Sequence, residues 1–486
     1  MKEYPIYIGG KSRKSSSGKT FETINPATGK ALAKFQEGTR KDATSAIKAA
    51  EIGFKKWSKV PAPKRGDILF NVAVILKKRK KELAKLLVME MGKVLPEALG
   101  DVQEAIDVFE YMAGEGRRLF GHTTTSELSE KFCMTIRRPL GVVGLITPWN
   151  FPFAIPAWKL SAALICGNGI VFKPSSDTPL CAITLVEILY EAGVPRDVVN
   201  FVTGPGATVG DEIIQSNKVF GISFTGSVPT GEYILKNAGI KKVGLELGGK
   251  NGIIVMDDAD LDLAVDGIIW GGYGTTGQRC TAASRVIVHT KVKKQLEKKL
   301  IARIKKLRLG SGLDPKTDVG PLINQSALEK THSYTKIGLS EGAKLLCGGK
   351  YGQRTGFFYQ PTLFTDVKKN MRIAREEIFG PTVVIIEVNS IDDAIRTMND
   401  VDYGLSSSIY TQDIKNSFKA IEDIETGITY VNSSTIGAEV HLPFGGIKKT
   451  GNTREGGIHG IDEFSEIKTV YVDYSGTLQR AQIDNK

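Results

Sequence analysis

Cys280 and Glu246, 34 residues apart, are the side chains of this sequence best suited to chemistry at a carbonyl carbon. Cys280 lies in a glycine-containing loop that leads into a predicted strand over residues 285–289, and a thiolate there could act as a nucleophile. Glu246 ends another strand-like segment and precedes two glycines, so its carboxylate could reach into a cleft and activate water. Taken alone, Cys280 could equally be an inert buried thiol, and Glu246 a surface or helix-capping carboxylate.

A third residue, Asn150, follows a predicted strand in the turn at residues 147–152. A side-chain amide at such a turn could donate a hydrogen bond to an oxyanion, and so could the backbone N–H of Cys280. The alternative is a purely structural turn anchored by an aromatic side chain.

A nucleotide site is indicated by two further segments. At residues 224–227 a strand ends, Gly226 turns the chain and a helix begins, a geometry that exposes backbone N–H groups to phosphate. Lys173, at the end of another predicted strand, adds a cation for a ribose or phosphate group. The GxGxxG fingerprint is absent, since the nearest match, from Gly204 and Gly206 to Gly210, has one residue too many.

These residues must be positioned by an α/β framework. Short apolar runs alternate with helical patterns from about residue 141 to residue 238, which predicts parallel strands joined by right-handed crossovers. Such sheets bind ligands at the carboxyl ends of their strands. A second alternating region runs from residue 252 to about residue 432, and residues 41–120 are predicted to be helical. Two segments outside these regions, residues 131–137 and 466–474, are predicted strands that could pair with each other or with a neighbouring subunit.

Composition excludes several classes of protein. The 486 residues are 41% hydrophobic and 24% charged, as in ordinary globular proteins. The net charge of +12 comes from scattered lysines, which favours a solvated surface over a nucleic-acid partner. Five widely spaced cysteines without metal-ligand spacing predict no metal site and no disulfide framework, and they favour the cytoplasm. Prolines interrupt the apolar stretch at residues 141–172, so no membrane segment is predicted, and no signal peptide is evident.

Six segments, in this order, resemble the NAD(P)-dependent aldehyde dehydrogenase superfamily: PWNFP, FTGS, ELGGK, GQRC, EEIFGP and PFGG. The spacing from Glu246 to Cys280 also fits that family. The resemblance implies two open α/β sheet domains and a small β-flap that builds homodimers or homotetramers. The NAD(P)-binding domain would comprise residues 1–120 and 141–247, the catalytic domain residues 248–447, and the flap residues 121–140 and 466–486.

The resemblance also implies a mechanism. Cys280 would attack an aldehyde to give a thiohemiacetal, Asn150 would help to hold its oxyanion, and hydride would pass to the nicotinamide. Glu246 would then activate the water that hydrolyses the thioester. The implied cofactor-binding residues are Thr147, Pro148, Trp149, Lys173, Ser176, Gly226, Ser227, Leu247, Glu377 and Phe379. The implied substrate-binding residues are Phe151, Trp158, Arg279, Thr281, Gly437, Ala438 and Phe444.

Two positions refine these expectations. Ser176 stands where many NAD-preferring relatives carry a glutamate for the adenosine ribose, and the missing charge favours NADP over NAD. Arg279 precedes the nucleophile and could bind a substrate carboxylate, or form a structural ion pair. Residues 62–66 and 281–285 look like the 2-oxoglutarate-semialdehyde branch. The predicted substrate is therefore 2-oxoglutarate, succinate or aminoadipate semialdehyde.

The alternatives are a CoA-acylating aldehyde dehydrogenase, in which the water-activating glutamate is usually missing, and a silent protein on the same fold. The presence of Glu246 and Cys280 speaks against both.

Overall fold

The structure is a computed structural model that describes residues 1–353 and 355–484. Residue 354, in the predicted catalytic domain, and residues 485 and 486, at the end of the predicted flap, lie outside the described residues.

The N-terminal segment holds five short strands and three long helices. They are β1 (Glu3–Tyr4), β2 (Ile6–Ile8), β3 (Lys11–Arg13), β4 (Thr20–Asn25), β5 (Lys30–Gln36), α1 (Arg40–Trp57), α2 (Ala62–Met91) and α3 (Leu95–Glu115). Helix α1 begins at a capping box in which Thr39 and Asp42 satisfy each other's backbone N–H groups. Helix α2 ends at Gly92, whose φ of 96° lies in the left-handed region that glycine favours.

The next segment alternates strands and helices as predicted. Its elements are β6 (Thr123–Thr125), β7 (Lys131–Pro139), β8 (Val142–Ile146), α4 (Ala154–Cys166), β9 (Gly169–Lys173), α5 (Pro179–Glu191), β10 (Val199–Phe201), α6 (Asp211–Gln215), β11 (Gly221–Thr225), α7 (Val228–Asn237) and β12 (Lys242–Glu246). Strands β8 and β9 are buried along their whole length, because helices cover both faces of the sheet.

The remaining elements form the second alternating region and the C-terminal strand. They are β13 (Asn251–Val255), α8 (Leu261–Tyr273), β14 (Ala283–His289), α9 (Thr290–Ile304), α10 (Gln325–Ser340), β15 (Lys344–Cys347), β16 (Thr362–Thr365), α11 (Arg372–Arg375), β17 (Thr382–Val388), α12 (Ile391–Asn399), β18 (Tyr403–Gly404), β19 (Ser406–Tyr410), α13 (Ile414–Asp423), β20 (Ile428–Val431), β21 (Ile447–Lys448), α14 (His459–Phe464) and β22 (Ser465–Asp473).

Two seven-stranded sheets dominate the architecture. The first has the order β12-β11-β8-β9-β10-β2-β3, with β12 to β10 mutually parallel. Chain connectivity reverses between β8 and β11, which is the switch point where α/β sheets bind ligands. The second has the order β15-β16-β17-β14-β13-β19-β20 and is parallel except at β15.

A three-stranded sheet, β22-β7-β6, stands apart from both. Strands β22 and β7 pair antiparallel from Ser465 opposite Pro139 to Asp473 opposite Lys131. Of the two pairings that the sequence left open, the chain therefore makes the internal one.

The architecture differs from the predicted segmentation in two places. Strands β1, β5 and β4 form a small sheet of their own, and only β2 and β3 of the N-terminal strands join the first large sheet. Residues 448–464 lie outside all of the predicted segments. In the structure they return to the first sheet. There α14 packs against α4, and Gly451 forms a backbone bridge with Glu246.

Candidate active site

The loop that carries Cys280 is fixed by side chains from other elements. The Glu97 carboxylate on α3 accepts the backbone N–H of Thr275 at 2.8 Å, where the chain takes a left-handed φ of 49°. The Cys280 carbonyl accepts the Asn251 amide at 2.7 Å. A Cβ at Gly249 would lie 2.5 Å from that carbonyl oxygen, so the second glycine of the ELGGK segment permits this close approach.

The thiol of Cys280 is held in its neutral form. Burial, reinforced by the Glu246 and Glu377 carboxylates, raises its pKa to about 12. Cys280 nevertheless lines both of the cavities described below, so ligands can reach it from two sides.

Asn150 lies beside this loop. Its side-chain Nδ2 donates to the Gln278 carbonyl at 3.2 Å, two residues before the nucleophile. Its Oδ1 is buried and has no hydrogen-bond partner among the described residues. The second Nδ2 proton remains available to a ligand, as an oxyanion-binding role requires.

Glu246 ends β12 and belongs to a buried cluster of acids. Both of its carboxylate oxygens are buried without a hydrogen-bond partner in the described part of the chain. Burial, and then the neighbouring Glu455, raise its pKa well above the usual range. Lys159 forms a buried ion pair with Glu455. Burial also raises the pKa of the adjacent Glu463 to about 7. Lys159 thus interacts favourably with three buried glutamates, Glu246, Glu455 and Glu463.

A groove crosses the switch point of the first sheet. Its outer part is lined by residues at the ends of β8, β9 and β11, namely Thr147, Pro148, Trp149, Lys173 and Gly226. Burial lowers the pKa of Lys173 to about 8, and its Nζ donates only to the Pro174 carbonyl in the described structure. The hydroxyls of Thr147 and Thr225 are buried and unpartnered there as well. Buried polar groups of this kind are normally hydrogen-bonded, and the described residues do not supply partners for all of them.

The inner part of the groove leads to Cys280. It is lined by Trp149, Asn150, Ser227, Leu247, Glu377 and Phe379. The Glu377 carboxylate accepts the backbone N–H of Gly249 at 2.8 Å, and burial raises its pKa. Phe379 has a φ of 60°, which is rare for an aromatic residue. Its ring packs edge-on against the Trp149 ring, with 5.5 Å between the ring centroids. A strained backbone at a cavity wall is typical of functional sites.

One predicted cofactor residue lies elsewhere. Ser176 is exposed and is not among the residues that line the groove, whereas its neighbour Ser175 is half-buried and lines it. Sequence reasoning also missed the wall contributed by α10, including Ser326 and Lys330, since nothing in that helix has a nucleotide-binding pattern.

A second cavity opens on the other side of Cys280 and contains all seven predicted substrate residues. Phe151, Trp158, Arg279, Thr281, Gly437, Ala438 and Phe444 line it, and we refer to it as the substrate chamber. Arg279 lies 3.5 Å from Glu97, donates to Thr275 and stacks near the Phe151 and Trp270 rings. Arg279 therefore forms the ion pair that was one of its two considered roles. It also lines the chamber, and its binding of a substrate carboxylate stays a prediction.

Glu104, on α3, also lines the chamber and was not anticipated. Its helix has an ordinary amphipathic pattern, in which a glutamate indicates only a solvent-facing side.

Metal-binding clusters and membrane-spanning helices are both absent from the described residues. No group of three or more His, Cys, Asp or Glu side chains there could hold a metal ion. Helices long and apolar enough to cross a membrane are also absent from that part of the chain.

Residues 13–470 match the family model described as the aldehyde dehydrogenase family. The chain belongs to this family. Its similarity to individual members extends over nearly its full length. The chain is 43% identical to an alpha-ketoglutarate semialdehyde dehydrogenase of Haloferax volcanii, over 96% of this chain and 98% of the relative. It is 40% identical to a D-glyceraldehyde dehydrogenase (NADP(+)) of Picrophilus torridus, over 99% and 98%.

Similar solved structures support the same family assignment. A betaine aldehyde dehydrogenase from Staphylococcus aureus, in complex with NAD+, superposes with a TM-score of 0.96 at 36% identity, covering 98% of this chain and 96% of that one. The predicted family, the fold class and the aldehyde dehydrogenase activity are therefore confirmed.

Proposed function

We propose that this aldehyde dehydrogenase oxidises a carboxylate-bearing semialdehyde to the corresponding dicarboxylic acid, with NADP or NAD as oxidant and Cys280 as nucleophile. The observation that carries the proposal is the position of Cys280. It is a wall residue of both the cofactor groove and the substrate chamber, with Asn150 and Glu246 beside it. A thiol at the junction of two cavities can meet an aldehyde from one and an oxidant from the other.

The groove fits a nicotinamide dinucleotide. Lys173 offers a buried cation without an acidic partner in the described structure, and the Thr147 and Thr225 hydroxyls are unpartnered. An anionic dinucleotide would supply partners for all three. Glu377 and Phe379, at the inner end, would then hold the nicotinamide ribose.

The chain's own residues divide the reaction into two halves. Cys280 Sγ attacks the aldehyde carbon after losing its proton, and the Asn150 amide with the Cys280 N–H stabilises the resulting oxyanion. A nicotinamide cofactor held in the groove by Glu377 and Phe379 would supply the hydride acceptor that oxidation of the thiohemiacetal to the thioester requires. Glu246 takes a proton from the water that cleaves this thioester. Burial raises the pKa of Glu246, and Lys159 is the nearby cation that favours the ionised form a base must have.

The substrate class is supported by the relative from Haloferax volcanii and by Arg279 in the chamber wall. NADP is favoured because position 176, next to the groove residue Ser175, carries no carboxylate that would repel a 2′-phosphate. In addition, Lys173 is not neutralised by an acid in the described structure. The relative from Picrophilus torridus, named for NADP, agrees with this preference.

The CoA-acylating alternative has less support. Glu246 lines the same chamber as Cys280, where hydrolysis needs a base and transfer to CoA does not. Product analysis with and without CoA distinguishes the two reactions.

We also propose the domain roles and assembly implied by the family. The first sheet would bind the cofactor, the second would carry Cys280, and the β22-β7-β6 sheet would join subunits into homodimers or homotetramers in the cytoplasm. Exposed apolar side chains on that sheet, Phe132, Ile467 and Tyr471 among them, support the last point. Light scattering on purified protein tests it, and a monomer would contradict it.

Steady-state rates test the activity. NAD and NADP should be compared against butanal and succinate, 2-oxoglutarate and aminoadipate semialdehydes. Cys280→Ala should abolish turnover. In Glu246→Gln we expect a burst of one reduced cofactor per site followed by slow turnover, because deacylation alone needs the base. Equal rates on butanal and every semialdehyde would refute the substrate class.

A further inference from the structure

Three carboxyl groups, those of Glu104, Glu246 and Glu455, line the substrate chamber. Glu455 forms an ion pair with Lys159, whereas Glu104 forms none in the described structure. Glu104 lies on α3, and its Oε1 accepts the indole N–H of Trp158 at 2.8 Å. Trp158 also lines the chamber, so this hydrogen bond orients the carboxyl group along the chamber wall. The side chain is half-buried, and its remaining exposure is towards the cavity.

The charged side chains around Glu104 form two ion pairs, and Glu104 belongs to neither of them. Lys93 forms a fully buried ion pair with Asp101 at 2.9 Å, and Arg279 pairs with Glu97 at 3.5 Å. Two cations thus face two carboxylates, and Glu104 is a third. A substrate carboxylate entering the chamber meets an arginine that is already partly neutralised and a glutamate that is not.

The protonation of Glu104 is therefore decisive for an anionic substrate. Burial, and then the nearby Asp101, raise its pKa to about 7, while Trp158, Lys93 and Arg279 act in the opposite direction. As a neutral acid, Glu104 can keep the indole hydrogen bond and donate its O–H to a carboxylate or keto oxygen. As a carboxylate it repels such a group.

We propose that Glu104 contacts the polar far end of the substrate and makes the binding of anionic aldehydes depend on its own protonation. The inference rests on the proposed function and adds to it a specificity-determining residue. It predicts that the enzyme binds carboxylate-bearing aldehydes better on the acidic side of neutrality, while neutral aldehydes of the same length are unaffected.

The test compares succinate semialdehyde with butanal, two four-carbon aldehydes that differ in charge at the far end. We expect the KM for succinate semialdehyde to rise about tenfold from pH 6.0 to pH 8.5, the change produced by a shift of about one pKa unit on substrate binding. The KM for butanal should stay flat. Because Glu246 and Glu455 line the same chamber, a Glu104 variant is needed to assign the pH dependence to Glu104.

Glu104→Gln provides the second measurement, because glutamine keeps an acceptor for Trp158 and carries no charge. Its KM for succinate semialdehyde should be low and independent of pH. Glu110→Gln is the matched control, since it makes the same change on the same helix, outside the chamber lining, and should retain the wild-type pH dependence.

The outcomes are distinguishable. Turnover of both aldehydes with a constant KM ratio, or a Glu104→Gln enzyme that keeps the pH dependence, would overturn the role of Glu104 alone. Absence of turnover with either aldehyde would overturn the proposed function and this role together.

Discussion

The side-chain amide of Asn150 and the backbone carbonyl of Gln278 are joined by a hydrogen bond of 3.2 Å. Asn150 follows a strand of the first large sheet, whereas Gln278 belongs to the loop that carries Cys280. The bond therefore ties the proposed oxyanion donor to the loop of the proposed nucleophile, and it uses one of the two Nδ2 protons. The other proton remains available to a ligand.

Replacing Asn150 by alanine should reduce kcat by about 10² to 10³, the usual effect of losing one oxyanion donor. The effect on KM should be small, since the interaction is strongest in the transition state. Steady-state kinetics with butanal measure both constants. A variant that raised KM and left kcat unchanged would show that Asn150 binds the ground state instead.

The thiol of Cys280 should react slowly with iodoacetamide at neutral pH in the free enzyme. Because its pKa is raised to about 12 and the thiolate is the reactive form, alkylation should accelerate about tenfold per pH unit, with no plateau between about pH 7 and pH 9. Peptide mass spectrometry locates the label, and Cys280→Ser is the control. A plateau below about pH 9 would mean that the thiol is activated without any ligand.

Lys173→Met should have opposite effects on stability and cofactor binding. The folded-state pKa of Lys173, about 8, lies below its usual value of 10.5, so the buried charge costs stability at pH 7. That cost is fully present below pH 8 and disappears as the pH rises towards 10.5. The variant should therefore raise the free energy of unfolding at pH 7 by up to about 3 kcal/mol and lose this advantage at high pH.

The same variant should bind the dinucleotide more weakly, because the buried cation is lost. Denaturant unfolding at pH 7 and pH 10 measures stability, and a fluorescence titration measures the dissociation constant. Unchanged cofactor affinity would remove Lys173 from the binding site.

Lys159→Met should destabilise the protein by about 3–5 kcal/mol at pH 8, because it leaves the Glu455 carboxylate buried without its cation. The loss should be smaller at pH 5.5. The pKa of the neighbouring Glu463 is raised from 4.5 to about 7, so this residue takes up a proton in the folded state between pH 8 and pH 5.5. With less negative charge in the cluster, the loss of the Lys159 cation then costs less stability.

Urea unfolding of the Lys159→Met variant at the two pH values tests this expectation. Lys242→Met is the control, because it removes the lysine of a partly exposed ion pair with Glu466 and should cost little at either pH. Equal losses for Lys159→Met at pH 5.5 and pH 8 would contradict the account of the acidic cluster.

The sequence could indicate candidate catalytic residues because each of them lies in a short segment with a characteristic residue pattern, and their roles stay predictions. Asn150 and Glu246 lie at the carboxyl ends of β8 and β12, which parallel pairing brings to one edge of the first sheet. Cys280 precedes β14 of the second sheet, so only the packing of the two sheet regions brings it to them. The pairing of β7 with β22 was likewise one of two stated possibilities, since both segments have strand patterns and lie outside the main sheets.

Tertiary structure decided what surrounds that centre. Glu104 and Glu97 lie on a helix whose periodicity indicates a buried face but not what that face meets. Only the packing of α3 against α4 and against the nucleophile loop brings them to the chamber and to Arg279. The exposed position of Ser176 depends on a turn that local residue preferences do not specify.

The cluster of Glu246, Lys159, Glu455 and Glu463 shows the same limit most clearly. Its members come from β12, α4 and the returning segment at residues 448–464, and Lys159 is 296 positions from its partner Glu455. The amino-acid sequence by itself determined which residues can perform the chemistry, because side-chain reactivity and strand-end position are local properties. Their protonation states were decided by the fold, because burial and the distance to other charges arise only when distant segments pack together.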